Sequence, residues 1–423
     1  MLNRRQFLGA TATAVLAGAM AKPSLAQAKP KVVIIGGGPG GGSVLKALAA
    51  SAPNEFDITL IEAQSTYTTC FYSNLYLGGF QTLDNLKFSF DGIRKLPGVT
   101  LANDMAQSVD RTARTVALAG GKTLPYDLLV VSPGIDLDYN SVPGWSKAVE
   151  DRMPHAWKAG AQLELLKRQL DAVPDGGLIV MLAPPAPYRC PPGPYERVSM
   201  MAHSLKSAGK SKARIVILDA KEVFSKQPLF QQGWEKHYPG MVEWLPPSIH
   251  SGIKSVDPAT MKVETGFETY ADAALVNVIP RQTAGAIARA AGLADEKGYC
   301  PIDAFTMKSR LDSHIFVVGD ACIPGDMPKS AFAAHSQAAV AAMAIKAELS
   351  GKPAPEAEYR NTCWSLIDKD DSVKIGGSYR PTAAKIQEAS TFISKMDDTP
   401  EIRRTNFEDS ASWYSTLTTE LFE

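Results

Sequence analysis

The chain has 423 residues, and its 44 Lys plus Arg balance 44 Asp plus Glu, so the formal net charge is zero. That balance offers no purchase on nucleic acid or on a strongly anionic membrane surface. Five cysteines leave at least one sulfur unpaired in an oxidising compartment, and six histidines without ligand-type spacing give no reason to expect a metal site.

The N-terminus reads Asn3-Arg4-Arg5-Gln6-Phe7-Leu8-Gly9, then an apolar stretch over 7–21, then Ala26-Gln27-Ala28. The stretch is too short and too rich in small residues for a spanning helix, and the small-x-small triplet marks removal after Ala28. This is the pattern of a twin-arginine signal, which delivers folded, cofactor-loaded proteins to the periplasm. No later segment is long and apolar enough to span a bilayer. Roughly 395 residues remain, too many for one simple domain.

Lys31-Val32-Val33-Ile34-Ile35 has the length and Val/Ile content of a buried parallel strand. Gly36, Gly38 and Gly41 follow as GxGxxG, and a helix over 44–52 directs its N-terminus at a pyrophosphate. A second strand over 58–61 ends at Glu62, placed for a ribose hydroxyl. A strand over 124–134 ends in Ser132-Pro133-Gly134, and another over 315–320 ends in Gly319-Asp320. In FAD enzymes such a Gly-Asp sets a carboxylate beside the ribityl chain. The distance between these segments implies an FAD-binding domain interrupted by an insertion.

The insertion begins a second βαβ unit, with strands over 177–183 and 213–218 and a helix over 196–208 between them. Where a second glycine fingerprint would stand, six prolines lie between Pro184 and Pro194, around Cys190. Proline has no N–H to offer phosphate, and its ring keeps backbone away, so the unit keeps the fold without an NAD site. The expected class is α/β: two Rossmann-like dinucleotide-binding domains of glutathione-reductase type plus a small C-terminal domain. The boundaries are 1–28 signal, 29–148 and 282–349 FAD domain, 149–281 second Rossmann-like domain, and 350–423 C-terminal domain.

No CxxCH occurs, so the chain attaches no c-type haem of its own. Near Glu62 there is a single cysteine, Cys70, so a redox cysteine pair, if the chain has one, must come from distant segments. The segments Tyr67-Thr68-Thr69-Cys70, Pro187-Tyr188-Arg189-Cys190-Pro191-Pro192-Gly193-Pro194-Tyr195-Glu196, Val318-Gly319-Asp320-Ala321-Cys322, Met327-Pro328-Lys329-Ser330 and Asn361-Thr362-Cys363 resemble the flavoprotein subunit of flavocytochrome c sulfide dehydrogenase. The resemblance covers essentially the whole chain after the signal, and its wider superfamily includes the sulfide:quinone oxidoreductases.

The resemblance implies FAD bound covalently through a thioether to Cys70, and a redox-active Cys190–Cys363 disulfide beside the flavin. Sulfide is then the substrate, zero-valent sulfur or polysulfide the product, and a c-type cytochrome subunit, carrying the haem, the electron acceptor. Cys300 and Cys322 are left as small buried hydrophobes. Glu196 either moves protons at the disulfide or caps the helix it begins. Lys329 either faces the flavin pyrimidine edge or makes a surface salt bridge. Two other functions stay open: a sulfide:quinone oxidoreductase, for which the tail over 412–423 is only a weak membrane-surface helix, and a non-enzymatic redox modulator of another sulfur-oxidising complex. The proline loop argues against an NADH-dependent disulfide reductase.

Overall fold

The computed structural model describes residues 29–423. The expected twin-arginine signal and its cleavage point lie outside the described residues. The chain begins with β1 (Lys31–Ile35), α1 (Pro39–Ser51), β2 (Asp57–Ile61), the short α2 (Ser73–Leu77), β3 (Val99–Ala102) and β4 (Leu128–Val131). It then builds a second unit from β5 (Leu178–Ala183), α3 (Gly193–Ser207), β6 (Arg214–Asp219), α4 (Gln227–His237), β7 (Val242–Leu245) and β8 (Leu275–Val278). It returns to the first unit as β9 (Ile315–Val317) and α5 (Ala331–Ser350). The chain closes with β10 (Tyr359–Asp368), β11 (Asp371–Pro381), β12 (Ile386–Ile393) and α6 (Pro400–Phe422).

Two parallel sheets result, in the orders β9-β4-β1-β2-β3 and β7-β6-β5-β8. Val32, Val33, Ile34 and Ile35 are all buried, as are Ile179 to Ala183 of β5. Such continuous apolar runs are what strands covered on both faces require. The third sheet, β10-β11-β12, is antiparallel and pairs Cys363 with Ile375.

Several element limits differ from the sequence reading, each for a local reason. The first helix starts at Pro39, inside the fingerprint, with Gly38 as N-cap and a proline whose φ is already helical. Gly41 permits this: a Cβ there would lie 2.0 Å from the Gly36 carbonyl oxygen. The helix expected over 196–208 likewise begins earlier, at Gly193, with Pro194 in its first turn. The stretch over 124–134 is not one strand. Leu124 and Pro125 end a small antiparallel sheet, where Pro125 needs no amide, and β4 starts afresh at Leu128. The strand into Gly319-Asp320 stops at Val317, because Gly319 takes a φ of +82° and opens a 3-10 turn.

The C-terminal tail is not a surface helix. Its last turns belong to α6, capped by Thr399, and Tyr414, Leu417, Leu421 and Phe422 are buried. The Phe422 ring stacks on Phe88 at 4.9 Å and on Tyr67 at 5.4 Å, so the tail seals the first domain. Leu421→Ala should therefore cost about 3 kcal/mol in denaturant unfolding, while Thr419→Ala, one turn-face away in solvent, should stay within about 0.5 kcal/mol.

Candidate functional site

A cavity of about 890 Å³ runs between the first sheet, the proline loop and the C-terminal hairpin. Of the eleven candidate residues, nine line it: Gly36, Gly38, Glu62, Cys70, Cys190, Glu196, Gly319, Asp320 and Cys363. The other two, Gly41 and Lys329, lie behind its wall, and both have other work.

At one end the glycines make a floor without side chains. Gly36 has a φ of +95°, and a Cβ there would meet the Ser132 carbonyl oxygen at 2.3 Å. Glu62, at the end of β2, accepts the Gly37 amide at 2.8 Å and the Gln64 amide at 3.0 Å, which fixes its carboxylate at the rim. At the Gly319-Asp320 turn, the Asp320 side chain is 11% exposed, and its Oδ1, shut off from solvent, has no hydrogen-bond partner. Its Oδ2 lies 3.9 Å from the Arg189 guanidinium. Burial pushes the Asp320 carboxyl up, against the pull of Arg189 and Lys329. A buried acceptor without a donor is costly, and a cofactor hydroxyl would satisfy it. Glycine floor, rim carboxylate and orphan acceptor together fit FAD.

Lys329 makes no surface salt bridge and does not face the cavity. It is 7% exposed, and its ammonium donates to the carbonyls of Asp320 (2.8 Å) and Cys322 over the Tyr299 ring. It thereby braces the Gly-Asp turn from behind. Arg189 does line the cavity, as do Lys158 and Arg197; burial would lower the Arg189 pKa, but the neighbouring acidic groups Cys70 and Asp320 raise it.

Cys190 sits at the tip of the proline loop with φ +57° and donates its amide to the Lys329 carbonyl at 2.7 Å. A non-glycine residue in the left-handed region stores about 1 kcal/mol or more, and such strain collects at functional sites. Cys363, centred in β10, faces the same cavity, with the Asn361 amide nitrogen 3.4 Å from its sulfur. All five cysteines are thiols in this structure. Burial raises both the Cys190 and Cys363 thiols; for Cys190 the neighbouring Cys363 adds to it, while Lys226 opposes it for each. Cys300 and Cys322 are fully buried behind the Gly-Asp turn and line no part of the cavity.

Glu196 lies in the first turn of α3 but makes no bond to that helix's amides. Its Oε2 accepts from Asn74 of α2 at 2.8 Å, and its Oε1 accepts the Leu366 amide of β10 at 3.0 Å. The carboxyl thus ties the Cys190 helix to the Cys363 strand. Burial pushes its pKa up, against those hydrogen bonds and Lys226. Sequence reasoning missed three polar residues. Arg197 is buried and binds the carbonyls of His155 and Ala156 and the side chains of Asn74 and Asn277. Asn74 joins Glu196, Arg197 and the Gly193 carbonyl. Lys226 is 3% exposed and reaches the Cys363 hairpin. Nothing local marks them, since each acts on a distant segment.

The corresponding nucleotide site of the second unit is filled. Asp219, at the end of β6, is fully buried and takes hydrogen bonds from Tyr195 (2.6 Å), Trp244 (2.9 Å) and Lys221 (2.6 Å). The Tyr195 and Phe224 rings stack at 3.7 Å beside it. No oxygen is left for a ribose, which agrees with the proline loop before it.

Three family models match the chain: pyridine nucleotide-disulphide oxidoreductase over 30–168, the central part of the flavocytochrome c sulfide dehydrogenase flavoprotein chain over 163–280, and the flavocytochrome c sulphide dehydrogenase flavin-binding domain over 355–422. A mitochondrial sulfide:quinone oxidoreductase of Dictyostelium discoideum is 35% identical over 118 residues, 27% of this chain and 25% of that protein. A sulfide-quinone reductase of Aquifex aeolicus is 27% identical over 179 residues, 42% of this chain and 40% of that protein. The matches thus span less than half the length of these curated relatives. In structure, the chain resembles the Aquifex aeolicus sulfide:quinone oxidoreductase (TM-score 0.75, 18% identity, 92% of each chain). It also resembles NDH2 of Plasmodium falciparum (TM-score 0.69, 11% identity, 93% of this chain and 97% of that one). At such identities the structural likeness speaks for the fold.

The hairpin carrying Cys363 is clamped by charge at its tip. His237 bridges Asp368 (2.9 Å) and Asp371 (2.7 Å), while His203 binds Asp368 and Arg403 binds Asp371. Hydrogen bonds to Asp368 and Asp371 raise His237 above its ordinary 6.5. Burial opposes ionisation of both aspartates, but their partners win and hold them below 3.8. The histidine's share of stability is complete below pH 6.5 and lost as pH climbs through its raised folded value. The aspartates' share is complete above pH 3.8 and lost as pH falls through their lowered ones. Melting scans should show wild type losing stability more steeply than His237→Gln as pH rises above 6.5.

Proposed function

We propose, for a chain that belongs to the superfamily of flavocytochrome c sulfide dehydrogenase flavoproteins and sulfide:quinone oxidoreductases, that it oxidises hydrogen sulfide in the periplasm and passes the electrons singly to a c-type cytochrome. One observation carries this: two cysteines far apart in sequence line the same cavity as the glycine floor and Asp320.

In the resting enzyme Cys190 and Cys363 form a disulfide. Hydrosulfide attacks one sulfur; the new S–S bond makes a persulfide, the old one breaks, and the other cysteine leaves as a thiolate. A second hydrosulfide releases the sulfur as polysulfide. That leaves both cysteines reduced, and re-forming their disulfide releases two electrons; FAD, which Gly36, Gly38, Glu62 and Asp320 would hold and Cys70 would tether, would supply an acceptor that takes electrons in pairs and gives them up singly. Arg189 offers the entering anion and the bound cofactor a fixed positive charge. Glu196, whose carboxyl burial makes harder to ionise, stands between the Cys190 loop and the Cys363 strand, where it can take up or give back a proton as the thiols change charge.

The quinone-reducing alternative is favoured by the activities in the names of both curated relatives. Against it, no helix among the described residues is long and apolar enough to cross a membrane, and the tail that could have lain on one is packed inside. Stopped-flow spectra separate the two. Sulfide should reduce the flavin, and a cognate cytochrome should reoxidise it quickly while short-chain quinones do so poorly; fast quinone reoxidation with none by cytochrome would overturn the proposal. Cys190→Ser and Cys363→Ser should each abolish sulfide-dependent flavin reduction, with the double variant little worse, because the pair acts as a unit.

The thioether has its own test. Acid-precipitated wild type should stay yellow, with one FAD of added mass, and Cys70→Ser should release its flavin on denaturation while binding it in the native state.

A further inference from the structure

Lys226 is unexplained by the roles above. It is the N-cap of α4, with a left-handed φ of +63°, and it is 3% exposed. Its ammonium donates to the Cys363 carbonyl at 3.1 Å, the Ser365 hydroxyl at 2.9 Å and the Val373 carbonyl at 3.2 Å. All three N–H donors are thus spent on the strands β10 and β11 that carry and flank Cys363. None of its partners is a carboxylate, and no salt bridge neutralises it among the described residues. A buried cation without an anion is expensive, and two neutral carbonyls and a hydroxyl compensate only part of that cost.

We propose that Lys226 is the fixed counter-charge for the thiolate that Cys363 becomes when the disulfide opens. The inference rests on the disulfide reading of the site and assigns a division of labour within it. Attack by hydrosulfide on Cys190 puts the persulfide there and leaves the electron pair on the Cys363 sulfur. That sulfur has the Asn361 amide 3.4 Å away as a donor, and the Lys226 ammonium is anchored to its own carbonyl. Cys190 has no comparable donor at its sulfur among the described residues, and it is the less buried thiol of the two. The charge count agrees: one negative charge enters with hydrosulfide and ends on Cys363 close to the Lys226 ammonium, so no proton need move in that step.

Burial raises the Cys363 thiol, and Lys226 is among the groups that pull it back down. Burial lowers Lys226 to about 8, and the charge that does most to keep it protonated is that of Cys363, then of Glu196 and Cys190. These are the ionisable groups that face it, from β10, α3 and the proline loop. Lys226 touches neither substrate nor flavin and is a positioning residue; its effect is electrostatic.

The test follows the S–H stretching band of Cys363 by infrared difference spectroscopy on the reduced holoprotein, in a Cys190→Ser background. Lys226→Met keeps the volume and removes the charge, and it should move the pH at which the band disappears upward by about one unit or more. In otherwise wild-type enzyme, the same substitution should lower the sulfide kcat at neutral pH roughly tenfold while flavin content stays full. Lys226→Gln retains donors for the carbonyls without the charge and should behave likewise if the Met variant fails to fold. Glu196→Gln removes the opposing charge and should not raise the thiol's titration. An unshifted S–H titration in folded, flavin-loaded Lys226→Met or Lys226→Gln overturns the inference. Absence of sulfide turnover in the wild type would instead sink the functional reading, since the S–H titration needs no substrate.

Discussion

The site depends on holding the C-terminal hairpin, which carries Cys363, against the proline loop, which carries Cys190. Neither segment could do so alone. The hairpin is gripped at its tip by the His237, His203 and Arg403 contacts to Asp368 and Asp371. Along its length it is gripped by Glu196 at the Leu366 amide and by Lys226 at the Cys363 carbonyl. Most of these grips are charged and partly or wholly buried. Such contacts contribute less to net stability than their number suggests, because desolvation offsets much of the attraction. Their value lies in register: each is satisfied only when the strand sits at one height against α3 and α4.

The proline loop shows how a dinucleotide-binding unit is turned to another use. Its parallel sheet and the helix after β5 persist, but amides that would have met phosphate are replaced by rings. The acid at the end of β6 is turned inward and consumed by Tyr195, Trp244 and Lys221. What is gained is stiffness. A loop with few backbone freedoms loses little entropy when it holds Cys190 in a strained left-handed conformation. The same helix N-terminus that would have faced a nucleotide now presents Glu196 to the opposite cysteine strand.

The parts of this molecule legible in sequence are those whose signal is local. A run such as Val32 to Ile35 can only be a strand covered on both faces, and glycines at 36, 38 and 41 mark a close backbone approach that a Cβ would block. Cysteines 70, 190 and 363 were singled out by their neighbours and by resemblance, and they line one cavity. The limits of elements were less legible, because Pro39 and Pro194 sit where a helix may begin or a loop continue. Least legible were charges that act across the chain. Lys329 looked like a flavin contact by its place in the Met-Pro-Lys-Ser segment, yet it braces two carbonyls behind the wall. Lys226 carried no signal in its own segment, and Arg197 looked like any residue in a helix. Their partners lie 137 to 147 residues away for Lys226 and 41 to 123 for Arg197, which no local pattern encodes. The tail misled in the other direction, since its aromatic face reads equally well as a surface for lipid or for the core.

These cross-chain charges make sense as one balance. The cavity has the cations Arg189 and Arg197 in its walls, with Lys226 set behind the Cys363 hairpin, and the acids Glu62, Glu196 and Asp320 line it as well. Two of those acids, Glu196 and Asp320, have their pKa values pushed up by burial. A site that receives an anion and a pair of electrons must gain protons or already hold positive charge, since uncompensated negative charge in a poorly solvated cavity is strongly disfavoured. Raised acids can retain or take up protons; guanidinium and a tethered ammonium cannot drift away. The arrangement places the fixed charges near the sulfurs, where the proposed disulfide cleavage would change charge abruptly. It places the adjustable ones between the elements that carry those sulfurs, where a proton can follow. On this view the buried polar residues are kept for the charge states of turnover; the fold tolerates Arg189, Lys226 and Glu196 because each is tied to a backbone group, while the Asp320 carboxyl keeps an oxygen free for a ligand.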